Sequence, residues 1–144
     1  MDIVMSQRTA MKAGALVEPR RADPAAAIET IARALRSGEA ELFLVEHGTR
    51  RYLLDRTDLD RISPSPASSL ARYETAERIA RLRIGHALGP AAVELPEGAT
   101  LEEVTSAVAL AGWRPVLVRD GARWLAASPA TLLRAMMAAP AAHR

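Results

Sequence analysis

The spacing of apolar residues alternates along the chain between the twofold period of strands and the 3.6-residue period of helices. Ile28, Ile31 and Leu35 share one face of a helix that Asp23-Pro24 begins and Gly38 ends. In chain order, the first half is predicted to contain a strand over 14–18, a helix over 24–37, strands over 42–45 and 51–54 around a His-Gly turn, and a short helix over 55–62.

A linker opens the second half, because the repeated Ser-Pro pairs at 63–66 disfavour both helix and strand. The apolar period then predicts a long helix over 68–82 and a further helical turn over 84–88, which Gly89-Pro90 ends. Beyond it the pattern predicts a strand over 92–95, a helix from the Thr100 cap to Gly112, strands over 115–118 and 123–127 around an Asp-Gly turn, and a last helix over 128–138.

The two halves repeat one order of elements: strand, helix, strand, tight turn, strand, helix. Gly38 and Gly112, which end the first helix of each half, lie 74 positions apart, and the turn glycines Gly48 and Gly121 lie 73 apart. A unit of about 60 residues buries little apolar surface by itself, so the two copies are predicted to pack together.

The composition of the chain mainly excludes classes of function. The 19 basic and 17 acidic residues are interspersed rather than clustered, so no nucleic-acid partner is expected. The chain has no cysteine, which excludes disulfides and thiolate chemistry. No apolar run approaches the roughly 20 residues of a membrane helix, and the N-terminus lacks the pattern of a secretory signal. A cytoplasmic protein without a membrane partner is therefore expected.

Neither catalysis nor a metal site is predicted by any group of residues. The histidines His47, His86 and His143 do not lie at metal-ligand spacing, and the serines lack the context of a nucleophile elbow. The chain has no glycine-rich phosphate loop of either common type. The protein is therefore not expected to be an enzyme.

The second copy carries the residues of a family resemblance. The segment VELPEGATLEEVTSAVALAGWRPVLVRDGARWLAASPATLLRAM contains a strand, a Pro turn, a Thr-capped helix, a Gly, a hairpin with Asp-Gly, and a Ser before the last helix. This order resembles a CBS domain, and residues 10–138 resemble a tandem CBS pair, or Bateman module. The resemblance implies an α/β (α+β) fold of two β-α-β-β-α repeats in a pseudo-two-fold pair. The predicted divisions are an extension at 1–13, repeat 1 at 14–62, a linker and connecting helix at 63–82, repeat 2 at 83–138 and a frayed tail at 139–144.

The same resemblance implies a ligand motif where each return strand enters its helix: Gly, two residues, Ser or Thr, two residues, then Asp. In the family, the Asp binds the ribose hydroxyls of an adenosine-containing ligand, and the Ser or Thr helps to hold phosphate. In the first copy Asp58 matches the Asp, whereas Asp55 replaces the Ser/Thr and Tyr52 the Gly. In the second copy Ser128 matches, whereas Thr131 replaces the Asp.

Family architecture implies that each motif faces the first strand of the other repeat, so Asp58 would face 90–93, and Ser128 with Thr131 would face 15–17. The candidate ligand-binding residues are thus Asp55, Thr57, Asp58, Ala91, Ala92, Val93, Leu16, Val17, Ser128 and Thr131. The candidate ligands are AMP, ADP, ATP, NADH and S-adenosylmethionine.

Helix capping explains the same residues without a ligand. Asp55 and Ser128 are good N-cap residues, and Asp58 in the first turn is favourable against the helix dipole. The resemblance implies a non-catalytic sensor of adenosine-containing ligands that forms a homodimer and acts on a regulated partner protein. The alternative is a degenerate pair without nucleotide binding that serves as a dimerisation or scaffold module.

Overall fold

The computed structural model describes residues 14–62, 77 and 81–138. These residues fall into two units, one formed by Pro19–Ala91 and the other by residues 14–18 together with 92–138. Each unit carries one three-stranded mixed sheet. The protein therefore has a mixed α+β fold in which one arrangement of strands and helices occurs twice.

The unit of Pro19–Ala91 follows the predicted order. Its elements are β1 (Arg20–Ala22), α1 (Glu29–Ser37), β2 (Phe43–His47), β3 (Arg50–Leu54), α2 (Arg56–Ile62) and a 3-10 turn at Ile84–His86. β1 pairs in parallel with β2, and β2 pairs antiparallel with β3 so that Leu44 lies opposite Leu53. Gly38 ends α1 in the left-handed conformation, with φ of 80°.

One face of this sheet forms the core of the unit together with α1. Phe43, Val45 and Leu54 pack in a single buried cluster with Ile31 and Leu35. The 3-10 turn completes the cluster, because Ile84 is fully buried in it. Two backbone hydrogen bonds fix this turn region: Ile28 N–H donates to the Leu82 carbonyl at 2.9 Å, and Ile84 N–H donates to the Ala26 carbonyl at 2.9 Å.

The second unit repeats this topology. Its elements are β4 (Glu94–Leu95), α3 (Leu101–Leu110), β5 (Val116–Asp120), β6 (Arg123–Ala127) and α4 (Pro129–Ala138). β4 is parallel to β5, and β5 is antiparallel to β6. Its core joins the α3 residues Val104 and Val108 to Val116, Val118 and Leu125 of the hairpin. The predicted α3 cap is present, since Thr100 and Glu103 form a reciprocal capping box.

The segment Gly14–Glu18 differs from its prediction in both structure and place. It belongs to the second unit, where Val17 forms an isolated bridge with Ala126 and Ala15 is fully buried in the core. The first strand of repeat 1 is instead the polar β1. Apolar content led the prediction to 14–18, whereas β1 is an edge strand whose arginines remain exposed, one of them at 5.5 Å from the Phe43 ring centre.

Charged side chains also hold this segment beside the β5–β6 hairpin. Arg123 donates to Asp120 at 3.0 Å and forms an ion pair with Glu18 at 3.4 Å. The hydrogen bond that Arg123 donates to Asp120, followed by the negative charge of Glu18, raises the pKa of Arg123 above its ordinary value. Because Arg123 and Glu18 are both more than half exposed, their ion pair orients the segment more than it stabilises it.

The first helix also begins later than predicted. α1 starts at Glu29, whereas Asp23-Pro24 forms a turn in which Asp23 Oδ1 accepts from Ala25 N–H at 2.9 Å. Asp23 thus caps a turn rather than a helix, as Asp side chains commonly do. The predicted extension at 1–13, the linker at 63–66 and the tail at 139–144 lie outside the described residues. Of the predicted helix at 68–82, the structure describes positions 77 and 81, which are helical, and position 82, which is not.

Candidate functional site

The first turn of α2 holds the predicted motif of repeat 1. Asp55 N–H donates to Asp58 Oδ2 at 2.9 Å, and Asp58 N–H donates to Asp55 Oδ1 at 3.1 Å. Each carboxylate therefore caps the backbone of the other residue, in the reciprocal pattern of a capping box. The Asp58 side chain is 1% exposed, so its charge is held in a buried position.

Arg61 covers the other oxygen of the Asp58 carboxylate. Its Nη2 donates to Asp58 Oδ1 at 3.0 Å, while the arginine side chain itself remains 46% exposed. The guanidinium also lies against the backbone of Gly89, where an added Cβ would come within 3.2 Å of both Nη1 and Nη2. Asp58, Arg61 and Gly89 thus form one contiguous group in the unit of Pro19–Ala91.

The corresponding residues of repeat 2 form the same cap with hydroxyls. Ser128 N–H donates to Thr131 Oγ1 at 2.8 Å, and Thr131 N–H donates to Ser128 Oγ at 3.2 Å. The Thr131 hydroxyl also donates to the Ser128 carbonyl at 3.0 Å, and its side chain is fully buried. Since a hydroxyl has one proton to donate, Thr131 has already used it within the cap.

The remaining predicted site residues are divided between the two units. Thr57 and Ala91 are exposed in the same unit as Asp58, whereas Ala92 and Val93 belong to the other unit. Val17 exchanges two backbone hydrogen bonds with Ala126, at 2.9 and 2.8 Å. This pairing places residues 15–17 beside β6, and the partner Ala126 lies two positions before Ser128. The Val17 backbone groups are thus used in a bridge rather than for a ligand.

Comparison with solved structures finds several CBS-domain proteins. A CBS-domain protein from Kribbella flavida matches with a TM-score of 0.61 and 17% identity, over 83% of this chain and 94% of its own. One from Agrobacterium tumefaciens matches with a TM-score of 0.65 and 13% identity, over 90% and 92%. The chain has the fold of a tandem CBS-domain pair. Neither protein-family models nor curated proteins match the sequence.

A third CBS-pair structure contains a nucleotide. The CBSX2 protein of Arabidopsis thaliana in complex with AMP matches with a TM-score of 0.57 and 13% identity, over 85% of this chain and 90% of its own. At this level of identity the likeness shows a common fold. The resemblance deduced from the order of elements is thereby confirmed.

A surface pocket of about 260 Å³ is lined by Arg21, Ala22, Asp23, Leu44 and Glu46, none of them a predicted site residue. Two of these lining residues, Arg21 and Glu46, form an ion pair with each other. Among the described residues, no group of His, Asp and Glu could hold a metal ion. The helices in this part of the chain include none with the length and apolar character of a membrane span.

Sequence reasoning missed Arg61 and Gly89. The spacing of Arg61, three residues after Asp58 on a helix, was a signal that the two side chains would meet. The place of Gly89 beside Arg61 depends on how residues 81–91 return to the first unit, which no local pattern indicates. Repeat 2 has Arg134 at the position equivalent to Arg61, but there it follows Thr131 rather than a carboxylate.

Proposed function

We propose that this protein is a non-catalytic regulatory module that binds one adenosine-containing ligand per chain at Asp58. The observation that carries the proposal is the Asp58 carboxylate itself. It occupies the position of the ribose-binding Asp in the CBS motif and is fixed in direction by Asp55 N–H. A fixed carboxylate can accept hydrogen bonds from the two hydroxyls of a ribose. The CBSX2–AMP complex supports a ligand of this class.

Repeat 2 is proposed to have no equivalent site. Thr131 lacks a second acceptor oxygen, and its hydroxyl is already bonded on both sides within the Ser128 cap. A ligand there would have to break the cap at a cost of about 1 kcal/mol for each lost hydrogen bond. One ligand per chain is therefore expected, and a regulated partner protein would respond to the conformation that the ligand favours.

The charge of Asp55 sets the expected order of ligands. A CBS domain usually has Ser or Thr at this position, near the phosphate, and here the carboxylate caps α2 instead. Like charges in proximity repel, so each phosphate added to the ligand weakens binding at this end of the helix. We expect AMP and S-adenosylmethionine to bind more tightly than ATP, with ADP and NADH between them.

Isothermal titration calorimetry with AMP on the wild type and on Asp58→Asn tests the proposal. Asparagine keeps a cap oxygen but loses the charge, and loss of a charged acceptor to ribose should weaken AMP binding about tenfold. Asp60→Asn is the matched control, because Asp60 is an exposed carboxylate on the same helix outside the motif. Equal affinity in all three proteins would refute the assignment of Asp58.

A scaffold module without ligand binding is the second candidate. The observation that favours it is that both motifs already act as complete helix caps, with Asp58 and Thr131 buried. Absence of heat with AMP, ADP, ATP, NADH and S-adenosylmethionine, for a protein that is folded by circular dichroism, would favour this candidate over the sensor.

We further propose that the protein forms a homodimer through α4. Leu133, Met136 and Met137 lie at helical spacing on this element and are 57%, 61% and 74% exposed. Three neighbouring large apolar side chains on one helix face are typical of a contact surface. The second helix proposed for this contact, at 68–82, lies mostly outside the described residues.

A further inference from the structure

We infer that Arg61 occupies the Asp58 carboxylate in place of a ligand, so that an adenosine-containing ligand must displace the guanidinium before it can bind. This inference rests on the proposed function. It makes Arg61 a determinant of affinity that opposes binding. The inference is based on the positions of Asp55 N–H, Arg61 and Gly89.

The two oxygens of Asp58 are held by groups of different mobility. Oδ2 accepts from the backbone N–H of Asp55, which cannot leave without opening the first turn of α2. Oδ1 accepts from Arg61, a long side chain that is 46% exposed. An exposed arginine regains rotamer freedom and hydration when it leaves, so this bond is the one that a ribose hydroxyl can replace.

Gly89 provides the space in which the guanidinium lies. Both terminal nitrogens of Arg61 would be only 3.2 Å from a Cβ at this position, so a side chain there would push the guanidinium away. The glycine has no left-handed backbone requirement, unlike Gly38 or Gly48. Its small size therefore matters for the contact with Arg61 and not for the backbone conformation, which allows an alanine to be tested there.

Adenosine is the probe that tests this inference, because it carries the ribose but no phosphate that Arg61 could attract. Calorimetry should show Arg61→Ala binding adenosine about fivefold more tightly than the wild type, the factor expected for removal of a partly exposed ion pair. Gly89→Ala should shift affinity in the same direction by about twofold, because its Cβ displaces the guanidinium only in part. Arg134→Ala, at the equivalent place in repeat 2, is the matched control and should bind adenosine as the wild type does.

The outcomes separate this inference from the proposed function. If the wild type binds adenosine and Arg61→Ala binds it equally or more weakly, the inference is wrong and the sensor function stands. If only Arg61→Ala binds adenosine, Arg61 blocks the site completely and the inference holds. If no variant binds either adenosine or AMP while all are folded by circular dichroism, both the inference and the proposed function are refuted.

Discussion

At the scale of single residues, the same two cap positions hold carboxylates in repeat 1 and hydroxyls in repeat 2. Asp55 and Asp58 in repeat 1, and Ser128 and Thr131 in repeat 2, each form a reciprocal cap with the same spacing. The carboxylate pair leaves a charge that Arg61 covers, whereas the hydroxyl pair satisfies itself. The cap therefore stabilises both repeats, and the proposed ligand would use only the carboxylate of the first.

Thr131→Val should destabilise the protein without changing ligand binding. Valine fills the same volume but leaves the Ser128 N–H without its buried acceptor, which costs about 1–3 kcal/mol. Thr105→Val is the control, since its hydroxyl bonds to the Leu101 carbonyl on the side of a helix that needs no such cap. Urea denaturation should show a lower midpoint for Thr131→Val alone. A stability equal to that of the control would contradict the role of this cap.

The sequence predicted the residues of the caps but not their neighbours. Asp55, Asp58, Ser128 and Thr131 follow from local pattern, because a cap depends on residues within one helical turn. The approach of Gly89 to Arg61 joins positions that lie far apart in the chain, so no local pattern predicts it. Capping and ligand binding require the same residue types here, so the sequence left both interpretations open.

At the scale of elements, the hairpins and the helices that follow them were predicted within one or two residues. Their turn glycines and alternating apolar residues are strong local signals. The first strand of repeat 1 was harder to predict from the sequence. β1 consists of Arg-Arg-Ala and is a strand because it pairs with Phe43, Leu44 and Val45 of β2. Conversely, the apolar segment 14–18 is buried in the second unit. Tertiary pairing overrode local preference in both cases.

The proposed homodimer contact on the exposed face of α4 can be tested by substitution. Met136→Glu should shift the protein from dimer to monomer in multi-angle light scattering, because a charge in an apolar interface is not compensated. Leu110→Glu places the same charge on α3, at a leucine that is 89% exposed, and should leave the dimer intact. A dimer that survives Met136→Glu but not Leu110→Glu would assign the interface to α3 instead, and a monomeric wild type would refute the homodimer.

At the scale of the whole molecule, a duplicated unit is proposed to carry a single ligand site. At equivalent positions of the two repeats, the chain has the acid Asp58 and the hydroxyl of Thr131, which is bonded within its own cap. The duplication was visible in the sequence as glycines 73 or 74 positions apart. The sequence did not show that residues 14–18 belong to the second unit, because that depends on which sheet these residues join.

We expect a ligand to bind at the Asp58 carboxylate and to leave the equivalent cap of repeat 2 unchanged. Amide chemical shifts measured by NMR during titration with AMP test it most directly, because the Asp55 N–H donates to that carboxylate and the Ser128 N–H donates to Thr131. We expect a large, saturable shift of the Asp55 amide and little change at Ser128. A shift confined to Ser128 and Thr131, or none in either cap at saturating AMP, would contradict it.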